Sequence, residues 1–246
     1  MFNPNKVSEN QEQGKVLEKL LFSSLNQKDI LKFVKDGLLF RSKIIANKLN
    51  IYIDELLISQ NRKMDEEIYR KIIHQSEYLH LNWYKYIKEN QPGSDPSEPR
   101  ARFAYDLFNE VAENINIKDE GGVTDYSRLK FYTAIGSAPD YHESLDCFFE
   151  MYDIDENGNY VKSSEALIDF TISNNKSFDK QEIILLMDKE DATQIEYYLT
   201  FESKQNPKLK NNLYDKYIKS FSKQISDKLR ENAEKVKKNK EYLFRT

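Results

Sequence analysis

Eight residues in the middle of the chain, DIDENGNY at positions 153–160, carry the first hint of chemistry. Asp153, Asp155 and Asn157 alternate and Gly158 follows, as at the start of a calcium-binding loop. Such a loop needs a bidentate glutamate at its twelfth position, and here that position is Ser164, with Glu165 one place late. It also needs a helix on either side, whereas the flanks LDCFFEMY and VKSSEALIDFT are rich in strand-forming residues. Asn-Gly between two such runs is the strongest short-range hairpin signal, because both residues accept the positive φ of a two-residue type I′ turn. The stretch reads as a turn centred on Asn157 and Gly158, not as a calcium site.

A two-residue turn at that point dictates what faces what across the hairpin. Asp146 falls opposite Asp169, and Glu150 opposite Glu165 on the same face, with Phe148 and Leu167 between the two acidic pairs. Cys147, Phe149, Met151, Ala166, Ile168 and Phe170 collect on the other face as the expected core. Opposed carboxylates lie about 5 Å apart at Cβ and repel unless a cation or a proton sits between them. Mg²⁺ or Mn²⁺ is the natural cation, a hard ion that accepts one or two carboxylates, waters and phosphate oxygens. A solvated sheet face that tolerates acidic pairs is the alternative. Asp is disfavoured in strands, however, and Asp146 and Asp169 each interrupt an apolar run, so the metal reading is preferred.

The elements that must position these acids divide at ENQPGSDPSEPRAR, where Pro92, Pro96 and Pro99 join Gly93 and two serines. The division is into a loosely ordered N-terminus (1–14), a helical domain (15–90), a linker (91–100) and an α/β domain (101–246). Before the linker Val16, Leu17, Leu20, Leu21 and Leu25 recur at helical spacing, as do Ile30, Leu31, Val34 and Leu38. SKIIANKLNIYIDELLISQNR has the outline of a helix-turn-helix through Ala46, Asn50 and Leu56, which an ordinary bundle turn would also satisfy. His74 and His80 lie six apart and do not share a helix face.

After the linker, ARFAYDLFNEVAENINI reads as an amphipathic helix bearing Glu110. LKFYTAIG, LDCFFEMY and EALIDFTIS read as strands, QEIILLM as a strand or short helix, and QIEYYLTFE as a further strand. A long basic helix with Leu213, Tyr217, Phe221, Ile225 and Leu229 on its packing face closes the chain. Helical bundle, mixed sheet and terminal helix together make an α/β fold.

With 246 residues and 39% hydrophobic content the chain can bury a full core. Cys147 is the single cysteine, so no intrachain disulfide forms, and three histidines with one cysteine argue against structural zinc. No apolar run reaches membrane-spanning length and the start has no signal-peptide core, so the expected location is the cytoplasm, away from any membrane. The net charge of −4 hides a segregation: residues 101–203 hold 8 Lys/Arg against 22 Asp/Glu, residues 204–246 hold 13 against 5. An acidic middle beside a basic tail suits a metal-assisted site next to a polyanion-binding surface, although a basic helix packed near an acidic face would give the same balance.

The helix with Glu110, the strand LKFYTAIG, the loop SAPDYHES and the strands LDCFFE and ALIDFT together resemble the PD-(D/E)XK, or restriction endonuclease-like, nuclease superfamily. The core of that family is an α-β-β-β-α-β unit whose acidic residues on adjacent strands bind Mg²⁺ for phosphodiester hydrolysis. The likeness covers roughly residues 101 to 205. It implies that Asp146 takes the first metal position, Asp169 the acidic position of the (D/E)XK element, and Glu110 the helix carboxylate. Asp140, after the GS pair, is similar to the loop acid that some members carry ahead of the metal-binding aspartate. Two residues after Asp169, where the family usually has lysine, stands Thr171; Lys176 is the candidate to serve instead. Glu202 and Lys204 spell another E-x-K, a triplet expected by chance in so charged a chain.

The activity implied is Mg²⁺-dependent hydrolysis of nucleic acid, DNA ahead of RNA. His142 is a candidate phosphate contact, and Lys219, Lys223, Lys235, Lys237 and Lys238 would track the backbone without reading sequence. The rivals are a non-catalytic nucleic-acid-binding or assembly protein on the same scaffold, and a helix-turn-helix regulator. The helical half leaves room for self-association or a protein partner.

Overall fold

A computed structural model describes residues 14–39, 66–77, 81–93, 95–119, 121–172, 183–206 and 209–243. The helix-turn-helix outline at 42–62, His80 and Lys176 lie outside the described residues. The architecture is mixed α/β, with helices on both faces of a four-stranded sheet.

The N-terminal helices are α1 (residues 14–22), α2 (Gln27–Leu39), α3 (Glu66–Glu77) and α4 (Trp83–Glu89). Helix α1 stops where Ser23 turns left-handed, at φ 66°. The Asn26 carboxamide accepts the Lys28 N–H at 2.9 Å and so starts α2. Helix α5 (Arg102–Ile115) buries Phe103, Leu107, Phe108 and Val111 and ends at a left-handed Asn116. Strand β1 (Leu129–Thr133), the short helix α6 (Ala138–Glu143), and strands β2 (Cys147–Ile154), β3 (Tyr160–Thr171) and β4 (Ile183–Leu186) come next along the chain.

The sheet order is β1-β2-β3-β4. Strand β2 runs antiparallel to both β1 and β3, and β4 runs parallel to β3. The exposed flank of β1 is covered by the proline-rich segment: the Phe131 N–H donates to the Pro96 carbonyl at 2.9 Å and the Thr133 N–H to Gln91 Oε1 at 2.8 Å. An edge strand covered in this way offers little template for pairing with another chain.

From Met151 back to Cys147 the β2–β3 register is the expected one, for an unexpected reason. Only Gly158 is left-handed at the turn, with φ 81°; the Gly158 N–H donates to the Asp155 carbonyl and the Asp155 N–H to the Asn159 carbonyl. The loop is therefore a three-residue turn over 156–158 rather than a type I′ pair. It puts Ile154 opposite Tyr160 and Tyr152 opposite Lys162, one residue out of step with the two-residue turn. A bulge then inserts Ser163, and from Met151 opposite Ser164 onward the pairing is Glu150–Glu165, Phe148–Leu167 and Cys147–Ile168. Two offsets of one residue cancel.

The run QIEYYLTFE is helix, not strand. The Asp188 carboxylate accepts the Glu190 N–H at 2.8 Å and starts α7 (Lys189–Tyr197), which continues through a π-turn, Tyr198–Glu202, into Ser203–Gln205. Ala192, Ile195, Tyr198 and Leu199 are its buried residues, a spacing of three and four that outweighs the β propensity of Tyr, Thr and Phe. Helix α8 (Asn212–Leu243) closes the chain as expected. No helix among the described residues is long and apolar enough to cross a membrane.

Strand alternation sorts the core into two layers. Cys147, Phe149, Met151, Ala166, Ile168 and Phe170 pack with α5 and α8. Phe148 on the other face packs with Leu25, Ile30, Tyr69, Trp83 and Ile87 of the N-terminal helices. Helix α1 crosses the end of the sheet. Its Phe22 meets Phe103, Phe131 and Phe170 at ring distances of 5.7, 6.2 and 6.0 Å. The Leu25 N–H donates to the Ile135 carbonyl, and the Thr133 hydroxyl to the Ser23 carbonyl.

Candidate metal centre

The sheet end under α1 is where β1 finishes, β2 begins and β3 finishes. Asp146 immediately precedes β2, with its N–H bonded to the Ile168 carbonyl at 3.0 Å and its carbonyl accepting the Ala134 N–H at 2.7 Å. Its side chain is 3% exposed, and Oδ2 accepts the Phe170 N–H at 2.6 Å. The main chain of β3 thus fixes the carboxylate's orientation. Asp169, next along β3 after Ile168, is fully buried, and its charge is felt at Asp146.

A second acid arrives from the loop after β1. Gly136 adopts φ 94°, a conformation costly for any residue with a Cβ, and its N–H donates to Asp140 Oδ2 at 2.6 Å. Pro139 begins α6 and turns Asp140 back toward the loop. The third acid is Glu18, on α1 one turn before Phe22. Glu18, Asp140 and Asp146 each offer a carboxylate oxygen such that all three lie within 4.8 Å of one another.

Burial, and then the charges of Glu18 and Asp140, push the Asp146 carboxyl well above the usual carboxylate range, against the lowering effect of the Phe170 N–H; Asp169 adds to the rise. Burial raises the neighbouring Cys147 thiol too, reinforced by Asp146 and Asp169, so Cys147 is a neutral core residue and no nucleophile.

The second acidic pair of the same face has the opposite fate. Glu150 is 1% exposed, yet Lys88 from α4 reaches it at 2.6 Å, the Tyr152 hydroxyl at 2.7 Å and Lys162 at 3.4 Å. Burial alone would raise its carboxyl; the hydrogen bonds from Lys88 and Tyr152 and the two lysine charges bring it below the ordinary value. Glu165 pairs with Lys162 at 2.7 Å. This pair is an ion network tying the helical layer to the sheet, its charges balanced by Lys88 and Lys162.

An open cleft of about 450 Å³ adjoins Glu18 and Asp140 and is also lined by Lys15, Lys19, Lys28 and Tyr141. Of the residues singled out in the sequence, Asp140 and Asp146 come together and Asp169 acts on Asp146. Glu110 is half-buried on α5, in the helical layer packed against the other face of the sheet. His142 is half-buried, its ring 4.9 Å from that of His74. Lys219, Lys223, Lys235, Lys237 and Lys238 are exposed on α8, whose apolar side also packs on the face away from Asp146 and Asp169.

Sequence reasoning missed Glu18 and Lys88, both on helices far from the hairpin. Glu18 did leave a signal: it stands next to Leu17 and four residues before Phe22, a carboxylate beside the stripe that α1 buries. No protein-family model matches the chain, and no curated protein or solved structure matches it at a significant level.

Proposed function

We propose that the chain is a metal-dependent nuclease hydrolysing phosphodiester bonds of nucleic acid, DNA ahead of RNA, with Mg²⁺ or Mn²⁺ at the sheet end. The observation that carries this reading is the convergence of Glu18 and Asp140, half-buried in the wall of a cleft, on the buried Asp146 behind them, with Asp169 acting on Asp146. The donor set suits the ion: carboxylate oxygens are the hard ligands that Mg²⁺ accepts together with waters and phosphate oxygens. Burial first, and then repulsion from Glu18 and Asp140, pushes the Asp146 carboxyl up, and the repulsive part is what a divalent cation would relieve.

Asp146, Asp140 and Glu18 would hold the ion, with Asp169 contributing charge behind them. A bound ion supplies polarisation of a phosphoryl oxygen and a water of lowered pKa. The chain's own part is pre-organisation. Two of the three carboxylates are aimed by main-chain N–H groups, of Phe170 and Gly136, so their positions do not depend on long flexible side chains.

The fold lends further support. Helix α5, three strands of alternating direction and a fourth strand parallel to the third agree in part with the α-β-β-β-α-β order of the PD-(D/E)XK resemblance, with α6 standing between β1 and β2. The connection between β3 and β4, at 173–182, lies outside the described residues, and Lys176 with it. Glu18 takes the place in this reading that the resemblance gave to Glu110.

One observation favours a non-catalytic nucleic-acid-binding protein on the same scaffold: Thr171, where the family usually has lysine, is buried and its carbonyl accepts the Met187 N–H. Digestion of single- and double-stranded DNA and RNA with Mg²⁺ or Mn²⁺ separates the two. Metal-dependent cleavage abolished by Asp146→Ala with Asp169→Ala supports the nuclease. Cleavage that survives the double variant places the chemistry elsewhere, and intact substrate with no carboxylate-dependent Mn²⁺ binding in calorimetry favours the non-catalytic protein.

A further inference from the structure

We infer that the nucleic-acid backbone is held along the face built by α1, α3 and α6, with Lys15, Lys19 and Arg70 as phosphate contacts, and not along the basic C-terminal helix. Three observations carry this. The cleft beside Glu18 and Asp140 is lined by lysines from two helices, Lys15 and Lys19 of α1 and Lys28 at the start of α2. Tyr141, the residue after Asp140, has Lys15 Nζ at 5.2 Å and the Arg70 guanidinium carbon at 5.7 Å from its ring centroid. That ring holds two cations from separate helices at the shoulder of the acidic cluster.

The third observation is what α8 faces. Its Tyr214, Ile218, Phe221, Ile225 and Leu229 pack on the side of the sheet opposite to Asp146 and Asp169. A phosphate on the outer side of α8 would be separated from those acids by the sheet and a helix, roughly 15–20 Å given about 10 Å for each layer. Part of the α8 charge is also spent within the helix, where Lys235 meets Glu231 at 2.7 Å and Arg230 meets Asp227 at 3.3 Å. A backbone seated along α1 and α3 passes directly over the cleft, and the lysines offset the repulsion that the carboxylates would otherwise exert on it.

The location of the scissile bond in this picture rests on the nuclease reading; the binding face is testable apart from it. Fluorescence anisotropy with labelled 20-nucleotide DNA and RNA, single- and double-stranded, in buffer with Ca²⁺ compares wild type with two charge-reversal triples. Lys15→Glu, Lys19→Glu, Arg70→Glu should weaken binding at least ~10-fold and reduce the slope of log affinity against log salt by about 2–3, near one unit per lost phosphate contact. Lys219→Glu, Lys223→Glu, Lys238→Glu should change affinity less than ~3-fold on the same scale. The glutamine triple at 15, 19 and 70, checked by its melting curve, replaces the reversal if that variant fails to fold.

Equal or larger losses from the α8 triple, insensitivity to the α1/α3 triple, or no binding by wild type would each overturn the inference. Binding lost through Lys15, Lys19 and Arg70 in a wild type that cleaves nothing would sink the hydrolytic reading and leave the binding face standing. Cleavage by wild type, with binding indifferent to that triple, would do the reverse.

Discussion

Replacing Asp146 by Asn is the sharpest single perturbation of the acidic cluster. The two side chains are nearly isosteric, and the Asn carbonyl can accept the Phe170 N–H as Asp146 Oδ2 does. What changes is the charge. Two full charges within 4.8 Å of each other repel by about 3.5 kcal/mol or more at an effective dielectric of about 20, so Glu18 and Asp140 together exert a gross repulsion of about 7 kcal/mol on a charged Asp146. Proton sharing and the cleft lysines reduce the realised part to roughly 1–2 kcal/mol, about 2–8 °C in melting temperature for a chain of this size. Asp146→Asn should therefore melt higher than wild type in metal-free buffer at neutral pH.

The pH profile gives a second readout. A carboxyl whose proton is held more tightly in the folded chain stabilises the fold fully below its unfolded pKa of about 4, and that contribution is lost as pH rises through the folded value. Metal-free wild type should lose stability from about pH 4 upward toward neutrality, and Asp146→Asn should lose less over the same range. Saturating Mn²⁺ should raise the wild-type melting point, a hundredfold excess over Kd being worth about 2.7 kcal/mol, and leave the variant nearly unmoved. Differential scanning fluorimetry across pH, with and without Mn²⁺, measures all three. A variant that melts below wild type in metal-free buffer and gains as much as wild type from Mn²⁺ would refute the account of the cluster.

Lys88→Met should cost about 1–3 kcal/mol in chemical denaturation, because Glu150 is left buried with Lys162 as its remaining cation while Lys88 itself is partly solvated; adding Glu150→Leu should recover most of the loss. The carboxyl of Glu150 being depressed, its contribution should persist above about pH 4.3 and disappear as pH falls through the folded value, opposite in sense to Asp146. Phe22→Ala should cost about 3–5 kcal/mol by opening a cavity among Phe103, Phe131 and Phe170, and should weaken Mn²⁺ binding in calorimetry because Glu18 rides on the same helix.

The hairpin was legible because its signals are local. Asn-Gly marked the turn, alternation marked the faces, and the core face Cys147, Phe149, Met151, Ala166, Ile168, Phe170 is the one α5 and α8 cover. Turn type and bulge were not legible, since an extra residue at Ser163 adds nothing to the hydrophobic pattern and betrays itself only in the pairing. The error at QIEYYLTFE has the same root: the β-prone Tyr197, Tyr198, Thr200 and Phe201 outvoted Asp188, whose cap sets the helical conformation of Lys189–Tyr197.

The functional part of the sheet face turns on coverage. In the sequence pattern Asp146–Asp169 and Glu150–Glu165 look like equivalent acidic pairs four residues apart, although only the second is a paired position of the ladder and Asp146 stands just before β2. Helix α4 delivers Lys88 onto Glu150 and closes that pair as an ion network; α1 delivers Glu18 onto Asp146 and adds a third carboxylate to the other. Neither helix is near the strands in sequence, so the division of roles is a tertiary fact. A further carboxylate brought against buried acids weakens the fold at neutral pH unless a proton or a cation occupies the cluster. The two occupants differ in one observable: a proton leaves stability falling with pH whether Mn²⁺ is present or not, while a cation flattens that fall, and Asp146→Asn removes the difference between the two conditions.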